Sequence, residues 1–182
     1  MSNATLYEFL KQYTEDIPAS VQQGIIEEIR YTQAQRDITF VASFASVLPY
    51  ADVLHFEHSV AVALQLEQLR LDFRYPAEQF RAENRAEIVS AFKRELPIVN
   101  GFLGETNSVW TWEPEHVHIE LHNGGFPILK MFGFTQKFRG FVQQHFGRNV
   151  EITLNGPDML SETDLAQEMN FGYVVFLSSI CP

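Results

Sequence analysis

The chain has 182 residues, of which 46% are hydrophobic, and its formal net charge is −10. This hydrophobic content is enough for a core and excludes a disordered chain, while the length allows one medium domain or two small ones. The acidic charge argues against binding of duplex DNA by bulk electrostatics, although it leaves a local basic patch open.

Cysteine usage and hydropathy indicate a reducing compartment and no membrane anchor. The single cysteine, Cys181, excludes a disulfide within the chain. The N-terminal residues MSNATLYEFLKQ lack the basic region and apolar run of a signal peptide. The longest apolar run, Tyr173–Leu177, is too short to span a bilayer. We therefore expect a cytoplasmic protein.

Hydrophobic periodicity predicts an α-β-β-α-β domain over residues 1–75. Helical spacing with a break at Pro18 is followed by two alternating runs that form a hairpin, by a helix that opens at Pro49, and by a third alternating run. The predicted segments are a helical region over 5–24, strands over 25–31 and 38–44, a helix over 49–64 and a strand over 69–75.

The next segments predict a second domain over residues 76–157, in the order α-β-β-α-α-β. They are a helix from Pro76 to Leu96, strands over 109–112 and 117–121, a helix over 126–132, a helix capped by Thr135 and ended by Gly147, and a strand over 150–154. This is the order of a type II KH fold. The predicted class is α+β, with two small α/β-sandwich domains, the second type II KH-like.

Residues 158–182 differ in character from both domains. An acidic, polar linker is followed by an apolar tail from Asn170 to Pro182. The tail is interpreted either as a strand that docks on the second domain or as the start of a further domain.

Potential metal ligands are concentrated in one predicted strand, which reads His116-Val117-His118-Ile119-Glu120-Leu121-His122. Residues 116, 118, 120 and 122 share one face, and three imidazoles with a carboxylate resemble a metal-ligand set. The alternation with apolar residues favours instead the solvent face of a half-buried strand, because side chains on one face are nearly 7 Å apart at each step.

No catalytic or cofactor site is predicted. His55 and His58 lie three residues apart on a predicted helix with Glu57 between them, and no nucleophile signature lies nearby, so a solvated helix face is favoured. The sequence contains no P-loop, Rossmann glycine pattern, G-x-S-x-G motif or paired-cysteine site. We therefore predict no catalytic residue, no metal and no cofactor.

One basic concentration lies in the predicted KH-like domain. KH domains hold single strands through a GXXG loop between consecutive helices, and the corresponding loop here, Lys130–Lys137, has one glycine and two lysines. The candidate nucleic-acid contacts are Lys130, Lys137, Arg139 and Arg148. An ordinary solvated helix face is the alternative interpretation.

The sequence resembles the N-terminal region of PolC-type proteins, the replicative DNA polymerase III alpha subunits of low-GC Gram-positive bacteria. The resemblance runs from about Ile25 to Gly156 and rests on the order and spacing of several blocks rather than on a diagnostic motif. These blocks are VLPY at 47–50, LRLDFRYP at 69–76, KRELPIVNGFL at 93–103, HIELHN at 118–123 and FGRNVEI at 146–152.

The resemblance implies a non-catalytic role in DNA replication. The family places two small N-terminal domains, the second KH-like, before its catalytic regions, so no family catalytic residue maps onto this chain. The implied partners are replisome proteins such as the clamp-loader tau subunit, with single-stranded nucleic acid as the alternative. The ending after residue 158 departs from the family pattern.

Overall fold

The computed structural model describes residues 4–32 and 36–157. Its helices are α1 Leu6–Leu10, α2 Ala19–Gln22, α3 Tyr50–Ala63, α4 Arg85–Phe92, α5 Phe126–Met131 and α6 Phe134–Phe146. Its strands are β1 Ile25–Thr32, β2 Asp37–Ser43, β3 Gln68–Arg74, β4 Ser108–Trp112, β5 His116–Leu121 and β6 Glu151–Asn155. The predicted α+β class is confirmed. The apolar tail lies outside the described residues.

The chain divides into two compact units. The first takes the described residues up to Ala91 together with Phe141–Arg148, and the second takes Phe92–Gly140 and the described residues from Asn149 onward. The sequence places the domain boundary between residues 75 and 76, which lies inside the first unit. In that unit Tyr75 donates its N–H to the carbonyl of His145 at 2.7 Å, and its ring lies 5.3 Å from that of Phe146.

The first unit contains a three-stranded sheet in the order β1-β2-β3. β1 and β2 form the predicted antiparallel hairpin, with a bulge between Ile26 and Glu28, and β3 runs parallel to β2. The α1 helix begins with a capping box, in which the Thr5 hydroxyl accepts from Glu8 N–H and the Glu8 carboxylate accepts from Thr5 N–H. Phe40 of β2 and Phe56 of α3 are buried and pack edge to face, so α3 covers this sheet as its apolar spacing predicts.

The second unit repeats this strand topology. Its sheet has the order β4-β5-β6, with β4 and β5 antiparallel and β5 and β6 parallel. Val117, Ile119 and Leu121 of β5 are buried, as their alternation predicts. Phe134 and Phe138 of α6 are also buried and belong to the same unit.

The single helix predicted from Pro76 to Leu96 is wrong. Two short 3-10 turns, Ala77–Gln79 and Ala82–Asn84, precede α4. Phe80 and Arg81 leave the helical region of backbone angles, and the Asn84 side chain donates to the Gln79 carbonyl at 2.8 Å. A side-chain amide bound to a nearby backbone carbonyl competes with helix formation, which explains why the apolar spacing is an incomplete guide here.

The predicted cap at Thr135 is also wrong. α6 begins at Phe134, and Thr135 lies inside its first turn. The residue before the helix is Gly133, with φ of +67°. Gly147 follows the end of α6 with φ of +62°, as predicted for a helix-terminating glycine.

Candidate functional site

The turn between α5 and α6 is the candidate interaction site of the second unit. Phe132 N–H donates to the Ile128 carbonyl at 3.0 Å, and Gly133 N–H donates to the Lys130 carbonyl at 3.1 Å. Lys137 N–H then donates to the Gly133 carbonyl at 3.0 Å. These bonds connect the two helices through Phe132 and Gly133 alone, so the backbone of the turn is closely defined.

Two large apolar side chains are exposed at this turn. Met131 is 70% exposed and Phe132 is 41% exposed, whereas their neighbours Leu129 and Phe134 are fully buried. We name Met131 and Phe132 the apolar tip. Single exposed apolar residues are common on protein surfaces, but two adjacent ones at a fixed turn are a feature of contact sites.

An aromatic cluster in the second unit holds the start of α6. Phe138 stacks on Phe134 at 5.5 Å and packs edge to face with Phe92 at 4.9 Å and with Trp110 at 5.7 Å. Trp110 in turn donates its ring N–H to the Ser108 hydroxyl at 3.0 Å. Because buried aromatic contacts restrict rotamers, the apolar tip projects from a rigid support.

The structure separates the four predicted basic contacts. Lys130 ends α5 and Lys137 lies in the first turns of α6, so both flank the apolar tip in sequence and both are exposed. The ammonium of Lys130 lies 5.6 Å from the centre of the Phe126 ring. These two lysines are the members of the set that lie next to the turn in sequence.

Arg139 and Arg148 do not flank the turn between α5 and α6. Arg139 is two residues beyond Lys137 and therefore points about 200° around the helix from it. It lines a shallow groove that also contains Glu115 and Glu151, whose carboxylates oppose its charge. Arg148 belongs to the first unit, where it donates to the Phe80 carbonyl at 3.2 Å and lies 6.0 Å from the centre of the Phe80 ring.

The histidine face of β5 is partly covered, because His116 and His118 are half-buried. His116 contacts the Thr153 hydroxyl at 2.6 Å, and His118 lies 3.5 Å from the Asn155 amide. Glu120 and His122 are exposed. Within residues 4–32 and 36–157, no group of three or more His, Cys, Asp or Glu residues is placed to hold a metal ion.

The α3 segment that carries the other histidines contains a residue whose role the sequence did not reveal. His55 lies 2.8 Å from the Asp16 carboxylate, and His58 is exposed. Glu57 between them is buried and accepts the Leu71 N–H at 2.7 Å. Leu71 is in the edge strand β3, so a helix carboxylate satisfies a donor at that edge.

Asp72 is a second buried carboxylate that strand alternation did not identify. It lies 3.3 Å from Arg74, 4.0 Å from Arg30 and 3.7 Å from the ring of His145. His145 is itself buried and bonds the Phe73 carbonyl through Nδ1 at 2.8 Å. Arg30 and His145 lie far from Asp72 in sequence, so no local pattern signals this network, which is structural and links Phe141–Arg148 to the rest of the first unit.

Comparison with protein-family models, with curated proteins and with solved structures gave no match. In the described part of the chain, no helix has the length and apolar character needed to cross a bilayer.

Proposed function

We propose that this chain is a non-catalytic interaction module of a PolC-type replicative DNA polymerase III alpha subunit, and that it docks a replisome protein in the cytoplasm. The clamp-loader tau subunit is the partner that the family resemblance implies. The observation that carries the proposal is the apolar tip, because two adjacent apolar side chains exposed on a rigid support suit insertion into a pocket of a partner protein.

The charge around the apolar tip specifies the chemistry of the partner. Lys130 and Lys137 flank the tip on a chain whose net charge is −10. A surface with an apolar pocket and carboxylates at its rim would complement this site, since opposite charges at an interface rim guide association and orientation. We therefore expect an acidic docking surface on the partner.

The fold of the second unit supports a KH-like assignment within this proposal. Its elements follow the order β-β-α-α-β, with α6 belonging to it as far as Gly140, and one antiparallel and one parallel pairing occur in its sheet. The α4 helix precedes them in the chain, and its residues up to Ala91 belong to the first unit. The turn between the consecutive helices, where KH domains carry GXXG, reads Met131-Phe132-Gly133-Phe134. The single glycine and the exposed apolar pair favour a protein partner at the site where KH domains bind nucleic acid.

The test is a binding measurement with the tau subunit and other replication proteins. We expect the combined variant Met131→Ala with Phe132→Ala to weaken binding by about tenfold or more, because it removes the anchoring side chains. Val109→Ala is the matched control, since Val109 is a 49% exposed apolar residue on β4 of the same unit. Isothermal titration calorimetry on the full chain gives the affinities.

Two results would contradict the protein-docking role. The first is an absence of binding to tau and to every other replication protein tried. The second is equal weakening by the tip variant and by Val109→Ala, which would remove the apolar tip from the interface.

Single-strand nucleic-acid binding is the second candidate function. Phe132 offers an exposed ring for base stacking, and Lys130 and Lys137 offer phosphate contacts beside it. This function predicts a salt-dependent affinity for oligonucleotides, measured by fluorescence anisotropy, that is lost in Lys130→Glu with Lys137→Glu. Arg139→Glu is the control, because Arg139 lies on a different side of α6 from Lys137 and lines a groove together with Glu115 and Glu151. An affinity that survives the double lysine variant would reject this function.

A further inference from the structure

In the described part of the chain, no strand pairs with the outer edge of β1 over most of its length. β1 is an edge strand of its sheet, and its residues are exposed or half-buried throughout. Among the described residues, the N-terminal segment covers only its beginning, where Ile26 N–H donates to the Ala4 carbonyl and Thr5 bridges Ile25. The part beyond the bulge carries the exposed Ile29 and Tyr31 and contains no proline or lysine. Natural edge strands are protected by proline, by charged side chains and by bulges, so the protection of this edge rests on the bulge and on Glu28 and Arg30, whose opposite charges a second strand can match.

The charges on β1 are arranged for pairing with an identical strand. Glu28 and Arg30 lie on one face of the strand, and Ile29 and Tyr31 lie on the other. Within one chain the Arg30 guanidinium binds the Glu28 carboxylate through two hydrogen bonds, of 2.9 and 2.7 Å. These hydrogen bonds lower the pKa of Glu28 and raise that of Arg30, so both residues are charged at neutral pH.

We propose that two copies of this chain associate through antiparallel pairing of their β1 strands, with Ile29 opposite its own copy at the two-fold axis. In this register Glu28 of each copy faces Arg30 of the other, so two opposite-charge pairs form on one face of the joined sheets. On the other face the two Ile29 side chains meet. The interface is isologous, because the same residues contribute from both sides.

The neighbouring symmetric registers are less favourable. With Arg30 at the axis, two guanidinium groups face each other, and like charges directly opposite are destabilising. With Tyr31 at the axis, Arg30 faces Thr32 and no charge pair forms. The Ile29 register also extends from Glu27 to Tyr31 and ends before Ile26, whose N–H is already bound to Ala4. The pairing uses the first unit and does not depend on docking at the apolar tip.

Charge reversal tests the pairing in the full 182-residue chain. Sedimentation velocity over a concentration series should show a monomer–dimer equilibrium that Arg30→Glu or Glu28→Arg weakens by about tenfold, because each change places like charges opposite each other twice. The double variant, Glu28→Arg with Arg30→Glu, exchanges the two charges and should restore association. Far-UV circular dichroism verifies that each variant is folded.

Arg70→Glu is the matched control, because Arg70 lies across the same sheet in line with Arg30. Arg70 of β3 is beside Thr39, and Thr39 is beside Arg30, so Arg70→Glu makes the same charge change at the opposite edge. It should leave dimerisation unchanged. The proposal is overturned if the wild-type chain stays monomeric, if Arg70→Glu weakens association as much as Arg30→Glu, or if the folded double variant fails to associate.

Cross-linking tests the register. In a Cys181→Ser background, Ile29→Cys places two thiols opposite each other at the axis, whereas Tyr31→Cys places its thiol opposite Glu27 of the second copy. Mild oxidation should give a disulfide-linked dimer with Ile29→Cys in large excess over Tyr31→Cys, as seen on a non-reducing gel. Preferential cross-linking of Tyr31→Cys would overturn the Ile29 register.

Discussion

Tyr75 shows how one buried polar group ties a loop to the core of the first unit. Its hydroxyl oxygen accepts the Leu48 N–H at 3.2 Å, and its ring stacks on Phe73 at 5.1 Å. Burial raises the pKa of Tyr75 far above the ordinary tyrosine value, although the bond from Leu48 opposes the shift. The hydroxyl therefore stays protonated in the folded chain under conditions that ionise an exposed tyrosine.

The raised pKa of Tyr75 predicts a loss of stability at alkaline pH. An unfolded tyrosine ionises at pH ~10, so the stability that depends on the protonated form is complete below that pH. It falls as the pH rises further, by up to about 1.4 kcal/mol per pH unit, since only the unfolded state releases the proton. Urea unfolding followed by circular dichroism on either side of that pH measures the slope.

Tyr75→Phe should change both the free energy of unfolding at neutral pH and its dependence on pH above pH ~10. At neutral pH the variant loses about 1–2 kcal/mol, because the buried Leu48 N–H is left without its acceptor. Above pH ~10 its stability should fall less steeply than that of the wild type, because the ionisable group is gone. An unchanged alkaline slope in the variant would show that other groups control it.

The burial of two other residues could not be predicted from alternation in a strand or from spacing in a helix. Asp72 belongs by spacing to an outward face, yet it is buried beside His145, which is distant in sequence. Glu57 likewise occupies a helix position expected to be solvated and instead binds Leu71 N–H. Both depend on contacts between distant segments, and the spacing of neighbours carries no information about them.

At the scale of elements, alanine substitution should change the stability in opposite directions at two glycines, Gly133 just before α6 and Gly140 inside it. A methyl group at Gly140 or at Gly133 meets no atom within 4 Å, so space does not distinguish them. Gly140 lies inside α6, where glycine costs about 0.5–1 kcal/mol relative to alanine. Gly133 has φ of +67°, a conformation that alanine adopts only with strain.

We therefore expect Gly140→Ala to raise the free energy of unfolding by about 0.5–1 kcal/mol and Gly133→Ala to lower it by about 1 kcal/mol. Chemical denaturation of the two variants beside the wild type measures both changes. Because the substitutions add the same methyl group, each is the control for the other. Shifts of both variants in the same direction would contradict the backbone explanation.

Element prediction from the sequence succeeded where one face of a segment is buried and failed where local polar contacts decide. The alternation of β5 and the spacing of Val53, Phe56 and Val60 in α3 each correspond to the observed burial. In the segment after Pro76, the apolar residues predicted to face the core are buried. The predicted helix is interrupted there, because the Asn84 side chain binds the Gln79 carbonyl and the backbone at Arg81 is extended. Hydrophobic spacing records which residues face the core and says less about backbone continuity between them.

For the whole molecule, composition and element order predicted the α+β class. The sequence predicts the orders β-β-α-β and β-β-α-α-β, and the structure adds that in each unit the third strand runs parallel to the second strand of the hairpin. The sequence did not predict that Phe141–Arg148 belongs to the first unit, because this depends on contacts between distant residues, such as that of His145 with Phe73. Around the turn between α5 and α6, the sequence predicted contacts through Lys130 and Lys137, which stay a prediction, whereas the exposure of Met131 and Phe132 became visible only in three dimensions.

The bond between Glu57 and Leu71 N–H also bears on aggregation. A sheet with two open edges can add strands at both sides and grow into a fibril. Here a carboxyl oxygen of Glu57 accepts the N–H of Leu71 in the middle of β3, and so it lies where the carbonyl of an incoming strand would have to lie. With the Leu71 N–H bound, β1 is the edge left for pairing among the described strands of this sheet, and pairing of two copies through β1 uses that edge in both, so such an assembly ends at two chains.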